Sequence, residues 1–391
     1  MRVGIVLLCL AYVISQFFRN FLAVLSEQLY LDIGATSDDL AFAMGFWFLT
    51  FSLMQIPVGT ALDKIGPKLT GSFIFLLGGA GGSIVFASAT TPLHITISMG
   101  LIGVGCSPVL MGSYYIFARM YDPKIFASLA AIMIGVGSFG NLAGAAPLVF
   151  ATDLFGWRST MLALGLISAL ISVGLFLFVE NPKISENINK GSFIDLLKIK
   201  NLWFIFPLVL IHYAPVAGIR GLWIGPYIND TFGRDGNLAF ATTAMSLSMI
   251  AGTLAYGPMD RIFETRKWII LIGSSICMAS IISIALIEEI TFGISVSLFC
   301  VLGFFGMSYP LMIAHGRSFS PEHLTGRCVT LLNMFAIGGA GLFQFSSGRI
   351  FRFSVETGGS TSAAYTTIFL FYASSLFIGL ILYLKAKDRL D

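Results

Sequence analysis

Residues 59–68 read GTALDKIGPK and form a charged turn between two long apolar runs, at about 40–62 and 69–90. A related stretch, GPMDRIFETRK, occupies residues 257–267 and follows another such run. Asp63 and Asp260 are 197 residues apart, and a second pair of loops places Pro123 and Pro321 198 residues apart. Two loop pairs with nearly the same offset indicate an internal repeat of about half the chain length.

The composition is that of a membrane protein. The 391 residues are 56% hydrophobic and only 11% charged, with a mean hydropathy of +0.87. Soluble proteins carry about 25% charged residues, so this composition excludes a water-soluble enzyme, a nucleic-acid-binding protein and a disordered chain. Because backbone groups inside lipid must satisfy one another, apolar stretches of about 20 residues predict membrane-spanning helices.

The hydropathy pattern predicts an all-α membrane protein with twelve transmembrane helices. The predicted spans lie at about 3–25, 40–62, 69–90, 93–118, 125–150, 157–179, 202–228, 237–259, 267–287, 290–314, 325–348 and 362–385. A polar segment follows the sixth span. We therefore predict two pseudo-symmetric six-helix bundles, at 1–180 and 201–391, joined by a cytoplasmic linker at 181–200.

Positive charge is distributed unevenly among the loops. With the N-terminus inside, 17 of the 23 Lys and Arg residues fall in cytoplasmic segments and 4 in outer loops. Cytoplasmic loops of membrane proteins carry an excess of Lys and Arg. We expect a multi-pass protein of a bacterial inner membrane with both termini in the cytoplasm.

Two arginines lie inside predicted spans, Arg19 in the first and Arg220 in the seventh, whereas all 20 acidic residues fall in loops or at span ends. Arginine stays protonated in proteins, and a charge at bilayer depth costs roughly 2.5 kcal/mol or more. Because no acidic side chain is predicted at that depth, the simplest counter-ion is an anionic substrate. Two guanidinium groups suit a carboxylate or a phosphate.

Polar and aromatic residues around both arginines predict a binding pocket. The predicted substrate-binding residues are Tyr12, Gln16, Arg19, Asn20, Tyr213, Arg220 and Trp223. In the first span these residues follow i, i+4, i+7 and i+8, and in the seventh they follow i, i+7 and i+10, so each set shares one helical face. His212 lies beside the second stripe and is the predicted proton-coupling group. The five cysteines are isolated, so we expect no metal and no cofactor.

The turn at 59–68 resembles the loop signature between the second and third helices of the major facilitator superfamily of secondary transporters. The matching residues are Gly59, Asp63, Lys64, Gly66 and Lys68, and Asp260 and Arg261 stand in a degenerate second copy. The resemblance covers essentially the whole chain. It implies the twelve-helix fold of that family and a gating motif whose contacts form and break at the inner side. Alternatively, these residues form a solvated turn without a gating role.

A shorter resemblance concerns the first span. The segment RNF at Arg19, followed by an apolar run and Glu27, is similar to the first-helix pattern of organophosphate:phosphate antiporters and anion:cation symporters. This similarity implies that Arg19 and Arg220 bind an anion, although the sequence around Arg220 is less similar. Met99 stands where many antiporters of the family carry an arginine, which argues against drug–proton antiport.

We therefore predict a secondary transporter of a small organic anion, a carboxylate or a phosphate ester, that works by alternating access. Its partners would be the substrate, the lipid bilayer and a co-transported or exchanged ion. Neither a nucleic acid nor an enzymatic activity is expected. The sequence leaves other interpretations open. The chain could transport or export a neutral or zwitterionic solute (an amino acid, peptide or sugar), it could be a non-translocating membrane sensor, or its arginines could extend to the outer interface.

Overall fold

The computed structural model describes residues 2–121, 123–182, 193–233, 236–321 and 324–390. These residues form helices and no strands, which confirms the predicted all-α fold. The chain divides into two compact units, unit 1 at Met1–Ile188 and unit 2 at Asn189–Asp391. Residues 183–192, which make up half of the predicted linker, lie outside the described part of the chain.

Unit 1 is built from helices α1 to α9. In chain order they are Arg2–Phe17, Leu22–Ile33, Ser37–Leu53, Gln55–Lys64, Pro67–Ile74, Gly81–Ala87, Pro92–Met120, Pro123–Ala143 and Ala146–Phe178. A π-helical segment, Phe75–Ala80, joins α5 to α6. Proline opens α5 and α7, where its missing N–H would have no partner within the helix and its fixed φ suits the first turn.

Unit 2 is built from helices α10 to α18. They are Phe193–Leu197, Leu202–Gly218, Ile224–Phe232, Leu238–Ile262, Lys267–Leu286, Phe292–Phe305, Tyr309–Arg317, Thr325–Glu356 and Thr361–Tyr383. A π-helical segment, Ile219–Trp223, joins α11 to α12, and a 3-10 turn, Gly306–Ser308, joins α15 to α16.

Several helices begin at side-chain caps. Thr36 accepts a hydrogen bond from the backbone N–H of Asp39, and the Asp39 carboxylate accepts one from the backbone N–H of Thr36, which forms a capping box before α3. Asn237, Thr291 and Ser360 each accept from the backbone N–H three residues later. These caps satisfy N–H groups that lack a partner within the helix.

Among the described residues, ten helical stretches are long and apolar enough to cross a membrane. A bent pair, Val3–Phe17 and Leu22–Ile33, would form an eleventh span. The predicted fifth span falls on α8, where the apolar part described, Ile132–Ala143, is shorter. The loop predicted before the sixth span reduces to a kink inside α9 at Gly156, where φ is 76°.

Candidate functional site

The first span breaks between α1 and α2, whose axes differ by 54°. The rings of Phe17, Phe18 and Phe21 lie 5.6–5.7 Å from one another at the break. Packing of these three rings stabilises the turn. The break corrects the prediction of one continuous helix over 3–25, and it places Arg19 and Asn20 in the turn rather than on a helical face.

A chain of hydrogen bonds links three of the predicted pocket residues. Gln16 Nε2 donates to Tyr12 OH at 2.7 Å, and Asn20 Nδ2 donates to the backbone oxygen of Gln16 at 3.3 Å. Asn20 Nδ2 also donates to Asn141 Oδ1 on α8 at 2.5 Å, and both of these amides are buried. The structure therefore brings Tyr12, Gln16 and Asn20 together and adds Asn141, which is not among the predicted substrate-binding residues.

Asn141 reaches Asn20 because α8 passes very close to α1. A Cβ atom at Gly140 would collide with the backbone oxygen of Val13, so only glycine permits this approach. Sequence spacing does not reveal the contact, since the two asparagines are 121 positions apart.

The Arg19 guanidinium lies against two aromatic rings of α3. Its Cζ is 5.5 Å from the centroid of Trp47 and 5.0 Å from that of Phe51. The two rings stack with centroids 5.1 Å apart. Cation–π attraction of this kind strengthens when the groups are desolvated, and Trp47 is fully buried. Trp47 and Phe51 were not predicted as site residues, although their i, i+4 spacing places them on one helical face.

Arg220 is fully buried within the π-helical segment between α11 and α12. Its Nε donates to Ser246 Oγ on α13 at 2.9 Å, and Ser246 Oγ donates to the backbone oxygen of Thr242 at 2.7 Å. The interfacial alternative requires the guanidinium group to reach the surface, and the fully buried guanidinium of Arg220 does not. π-helical turns occur mostly as local bulges and are frequent at functional sites.

The two aromatic residues predicted beside Arg220 have different surroundings. Trp223 is fully buried, and its Nε1 donates to Ser347 Oγ on α17 at 2.9 Å. Tyr213 is half-buried, with its ring 5.7 Å from that of Tyr309. Trp223 therefore links the π-helical segment to α17, and its role in substrate binding stays a prediction.

His212 is buried between two hydroxyl groups. Its Nδ1 lies 3.0 Å from Ser274 Oγ, and its Nε2 lies 2.9 Å from Ser308 Oγ. Both ring nitrogens therefore have neutral hydrogen-bonding neighbours within unit 2. Its proton-coupling role stays a prediction.

The first copy of the loop signature lies at the end of α4 and the start of α5. Gly66 adopts a φ of 94°, which favours glycine, and Asn181 Oδ1 accepts a hydrogen bond from the backbone N–H of Lys68 at 2.9 Å. The Lys68 ammonium lies 5.1 Å from the centroid of the Phe176 ring. The residues just after α9 therefore fix the start of α5, a contact that the sequence did not predict.

Three other residues of this signature lie on α4. Gly59 and Lys64 are exposed there. The side chain of Asp63 lies outside the described part of the structure, so its gating contact stays a prediction.

The second copy of the signature contains a buried ion pair. Asp260 Oδ2 lies 3.0 Å from Arg266 Nε, and the two side chains are 13% and 8% exposed. Arg261, by contrast, is exposed. This ion pair holds the loop between α13 and α14 within unit 2, and the gating role of Asp260 and Arg261 stays a prediction.

Asp388 caps the start of α14. Its carboxylate accepts hydrogen bonds from the Thr265 hydroxyl at 2.5 Å and from the backbone N–H groups of Arg266 and Lys267 at 3.2 and 3.0 Å. Partial burial acts to raise the pKa of Asp388, but these hydrogen bonds outweigh it and lower the pKa below its ordinary value.

A cavity of about 530 Å³ lies in unit 2 beside this cluster. Its lining includes Tyr256, Asp260, Arg261, Glu264 and Arg317. The lining thus carries both signs of charge and does not select one class of ligand. No group of three or more His, Cys, Asp or Glu residues suited to a metal ion occurs within the described ranges.

The helices of both units define a multi-pass integral membrane protein. The sequence profile described as Major Facilitator Superfamily matches residues 8–344, and the chain therefore belongs to this family. The match confirms the family resemblance predicted from the loop signature.

Three relatives share part of the sequence. The uncharacterized transporter YybO of Bacillus subtilis (strain 168) is 22% identical, and the alignment covers 46% of this chain and 41% of YybO. The D-galactonate transporter of Escherichia coli O6:H1 is 22% identical, and the alignment covers 48% of this chain and 43% of that transporter. The 4-hydroxybenzoate transporter PcaK of Acinetobacter baylyi is 25% identical over 46% and 39%. The chain thus spans less than half the length of these relatives.

Solved structures of the family resemble the whole chain. The nucleoside transporter NupG superposes with a TM-score of 0.73 at 16% identity, covering 99% of this chain and 100% of NupG. A bacterial homologue of the human lysosomal transporter Spinster, inward-facing and occupied, gives a TM-score of 0.72 at 15% identity over 98% and 94%. At such low identity these likenesses show the fold and not the substrate.

Proposed function

We propose that the chain is a secondary transporter of a small organic anion, and that Arg19 and Arg220 bind the anionic group. The observation that carries this proposal is Arg220, whose guanidinium is fully buried beside the neutral hydroxyl of Ser246. A permanent positive charge in a low-dielectric interior attracts anions strongly. An anion bound there would lower the free energy of the buried charge.

The relatives support an anion rather than a neutral solute. Two of them are named as transporters of D-galactonate and of 4-hydroxybenzoate, both of which are carboxylates. A carboxylate accepts two parallel hydrogen bonds from a guanidinium group, which provides both affinity and orientation.

The positions of the two arginines along the chain support the proposal. Arg19 lies in the turn between α1 and α2, and Arg220 lies in a π-helical segment. Transporters of this kind bind substrates at interrupted helices and expose the site alternately to the two sides of the membrane. Tyr12, Gln16 and Asn20 would orient the bound anion. No bond is made or broken in such a cycle.

The proposed location is a bacterial inner membrane. The loop charges support an orientation with both termini in the cytoplasm, and reporter fusions at the two ends would test this orientation. Coupling to an exchanged or co-transported ion completes the proposal. His212 is the candidate proton carrier, and a His212→Gln variant that retained pH-dependent uptake would exclude it.

Ligand-induced thermal stabilisation tests the substrate class. We expect D-galactonate, D-glucarate or 4-hydroxybenzoate to raise the unfolding temperature of the purified protein, whereas the neutral polyol galactitol should not. The effect should disappear in Arg220→Gln and persist in Arg349→Gln, which removes an exposed arginine of the same unit. If galactitol or D-galactose alone stabilised the protein, a neutral solute would replace the anion as the proposed substrate.

A sensor that binds without translocating would show the same stabilisation but no flux. Uptake of the stabilising compound into proteoliposomes separates these two functions. Binding without any uptake would contradict the proposed transport activity.

A further inference from the structure

The indole N–H of Trp47 is a buried donor with no hydrogen bond to any described residue. Trp47 is fully buried, and its Nε1 has no acceptor within the described part of the structure. Two other buried tryptophans show the usual arrangement, since Trp157 Nε1 donates to Asp32 at 3.1 Å and Trp223 Nε1 donates to Ser347 at 2.9 Å. A buried donor without an acceptor costs free energy, and nearly all buried donors in native structures have a hydrogen-bond partner.

The ring that carries this donor lies beside a positive charge. The Arg19 guanidinium carbon is 5.5 Å from the centroid of the Trp47 ring. Contact with the rings of Trp47 and Phe51 restricts the positions that the guanidinium group can take. An anion-binding site needs a positive charge and hydrogen-bond donors. The guanidinium group of Arg19 supplies the charge, and the indole N–H of Trp47 can supply a donor.

The helix that follows Arg19 adds to the positive potential. α2 has twelve residues and begins at Leu22 without a side-chain cap. The N-terminus of a helix carries a partial positive charge, and half-helix N-termini in transporters point at anionic groups of the substrate. The break between α1 and α2 therefore places this terminus three residues from Arg19.

We propose that Trp47 donates its indole N–H to the carboxylate of the transported anion, which Arg19 binds at the same time. This inference rests on the proposed function and adds a positioning residue and a ligand class to it. The subsite lies within unit 1, between the break in the first span and α3. One indole N–H beside one guanidinium fork suits a planar carboxylate, which presents two oxygens, better than a phosphate ester, which presents three.

A pair of Trp→Phe variants tests the proposal. Trp47→Phe retains an aromatic ring beside Arg19 but removes the donor. Its stability without ligand should not fall, because the N–H makes no protein hydrogen bond. Its affinity for the carboxylate that binds wild-type protein most tightly, among D-galactonate, D-glucarate and 4-hydroxybenzoate, should fall about tenfold, the usual effect of one hydrogen bond to a charged group.

Trp157→Phe is the matched control in the same unit. It loses a hydrogen bond to Asp32, so its unfolding temperature should fall. Its affinity for the carboxylate should stay within about twofold of the wild-type value, because that bond lies outside the proposed subsite. Trp47→Phe should therefore change affinity and not stability, and Trp157→Phe should change stability and not affinity. A general loss of packing would not produce this pattern.

Wild-type affinity in Trp47→Phe would overturn the proposal, and so would tighter binding of a phosphate ester than of any carboxylate. If Trp47→Phe does not fold, ¹⁹F spectra of protein labelled with 5-fluorotryptophan replace the variant. The Trp47 resonance should shift with the carboxylate and not with galactitol, and an unchanged resonance would overturn the proposal. Wild-type protein that bound none of the carboxylates would instead contradict the proposed function itself.

Discussion

Asn20 is held at the break in the first span by hydrogen bonds to Gln16 and Asn141. When a side-chain amide buried in an apolar bundle loses a hydrogen-bond partner, the fold is destabilised by the desolvation cost of the amide. The bond between Asn20 and Asn141 therefore stabilises the turn beside Arg19 and the contact of α1 with α8 together.

Removing the Asn141 amide should destabilise unit 1. We expect Asn141→Leu to lower the free energy of unfolding by about 1–3 kcal/mol, because the buried Asn20 amide loses its hydrogen bond to Asn141. Ser138→Ala is the control on the same helix, since it loses only a bond to the backbone oxygen of Ile134. Chemical unfolding of the purified variants measures both effects. Equal stabilities of the two variants would show that the asparagine pair contributes nothing.

Asp388 gives a pH-dependent contribution to stability. Because folding lowers its pKa, its contribution is present above the ordinary pKa of an aspartate and is lost as the pH falls through the lower pKa of the folded state. Asp388→Asn should therefore unfold at a lower temperature than wild-type protein at pH 7, and the difference should shrink towards pH 3. Asp195→Asn, which alters an exposed pair with Lys198, should change little. A difference independent of pH would contradict this account.

At the residue scale, the sequence predicted contacts that follow helical spacing. Tyr12, Gln16 and Asn20 are separated by four residues each, and they form a connected chain in the structure. Trp47 and Asn141 are not among the predicted substrate-binding residues, because their contacts depend on how neighbouring helices pack, which no local pattern encodes.

At the scale of the helix, close approach decides which side chains meet. α8 contacts α1 at Gly140, where a Cβ atom would collide with the Val13 backbone oxygen. Interfaces between membrane helices favour small residues for this reason. The contact with Asn20 exists only because residue 140 has no side chain.

Two glycines of α8 offer a matched comparison. Gly140→Ala should destabilise the protein by more than about 1 kcal/mol, since a core overpacked by one methyl group must shift backbone. Gly135→Ala should be neutral or stabilising by up to about 1 kcal/mol, because a Cβ atom there meets nothing within 4 Å. Thermal unfolding of both variants checks the difference. A stable Gly140→Ala protein would mean that the two helices do not approach as described.

Hydropathy predicted where most of the helices lie but not where they break. The residues from Phe17 to Phe21 are apolar apart from Arg19 and Asn20, so hydropathy predicts a continuous helix there. The turn there is stabilised by contacts among phenylalanine rings, which a periodicity argument does not include. The kink at Gly156 likewise depends on a backbone angle rather than on hydropathy.

At the scale of the whole molecule, the internal repeat was visible in the two loop pairs because charged turns stand out between apolar spans. The family match over residues 8–344 agrees with that interpretation. In the second loop copy, Asp260 pairs with Arg266. Substrate choice depends on a few buried side chains, and overall fold leaves it open.

The central claim is that a buried guanidinium binds the transported anion, and flux measures it most directly. In proteoliposomes, wild-type protein should take up one of the three labelled carboxylates, with D-galactonate as the first probe. Uptake should fall at least tenfold in Arg220→Gln, equivalent to about 1.4 kcal/mol, recover partly in Arg220→Lys, and stay unchanged in Arg349→Gln. Undiminished uptake by a folded Arg220→Gln protein would contradict the account.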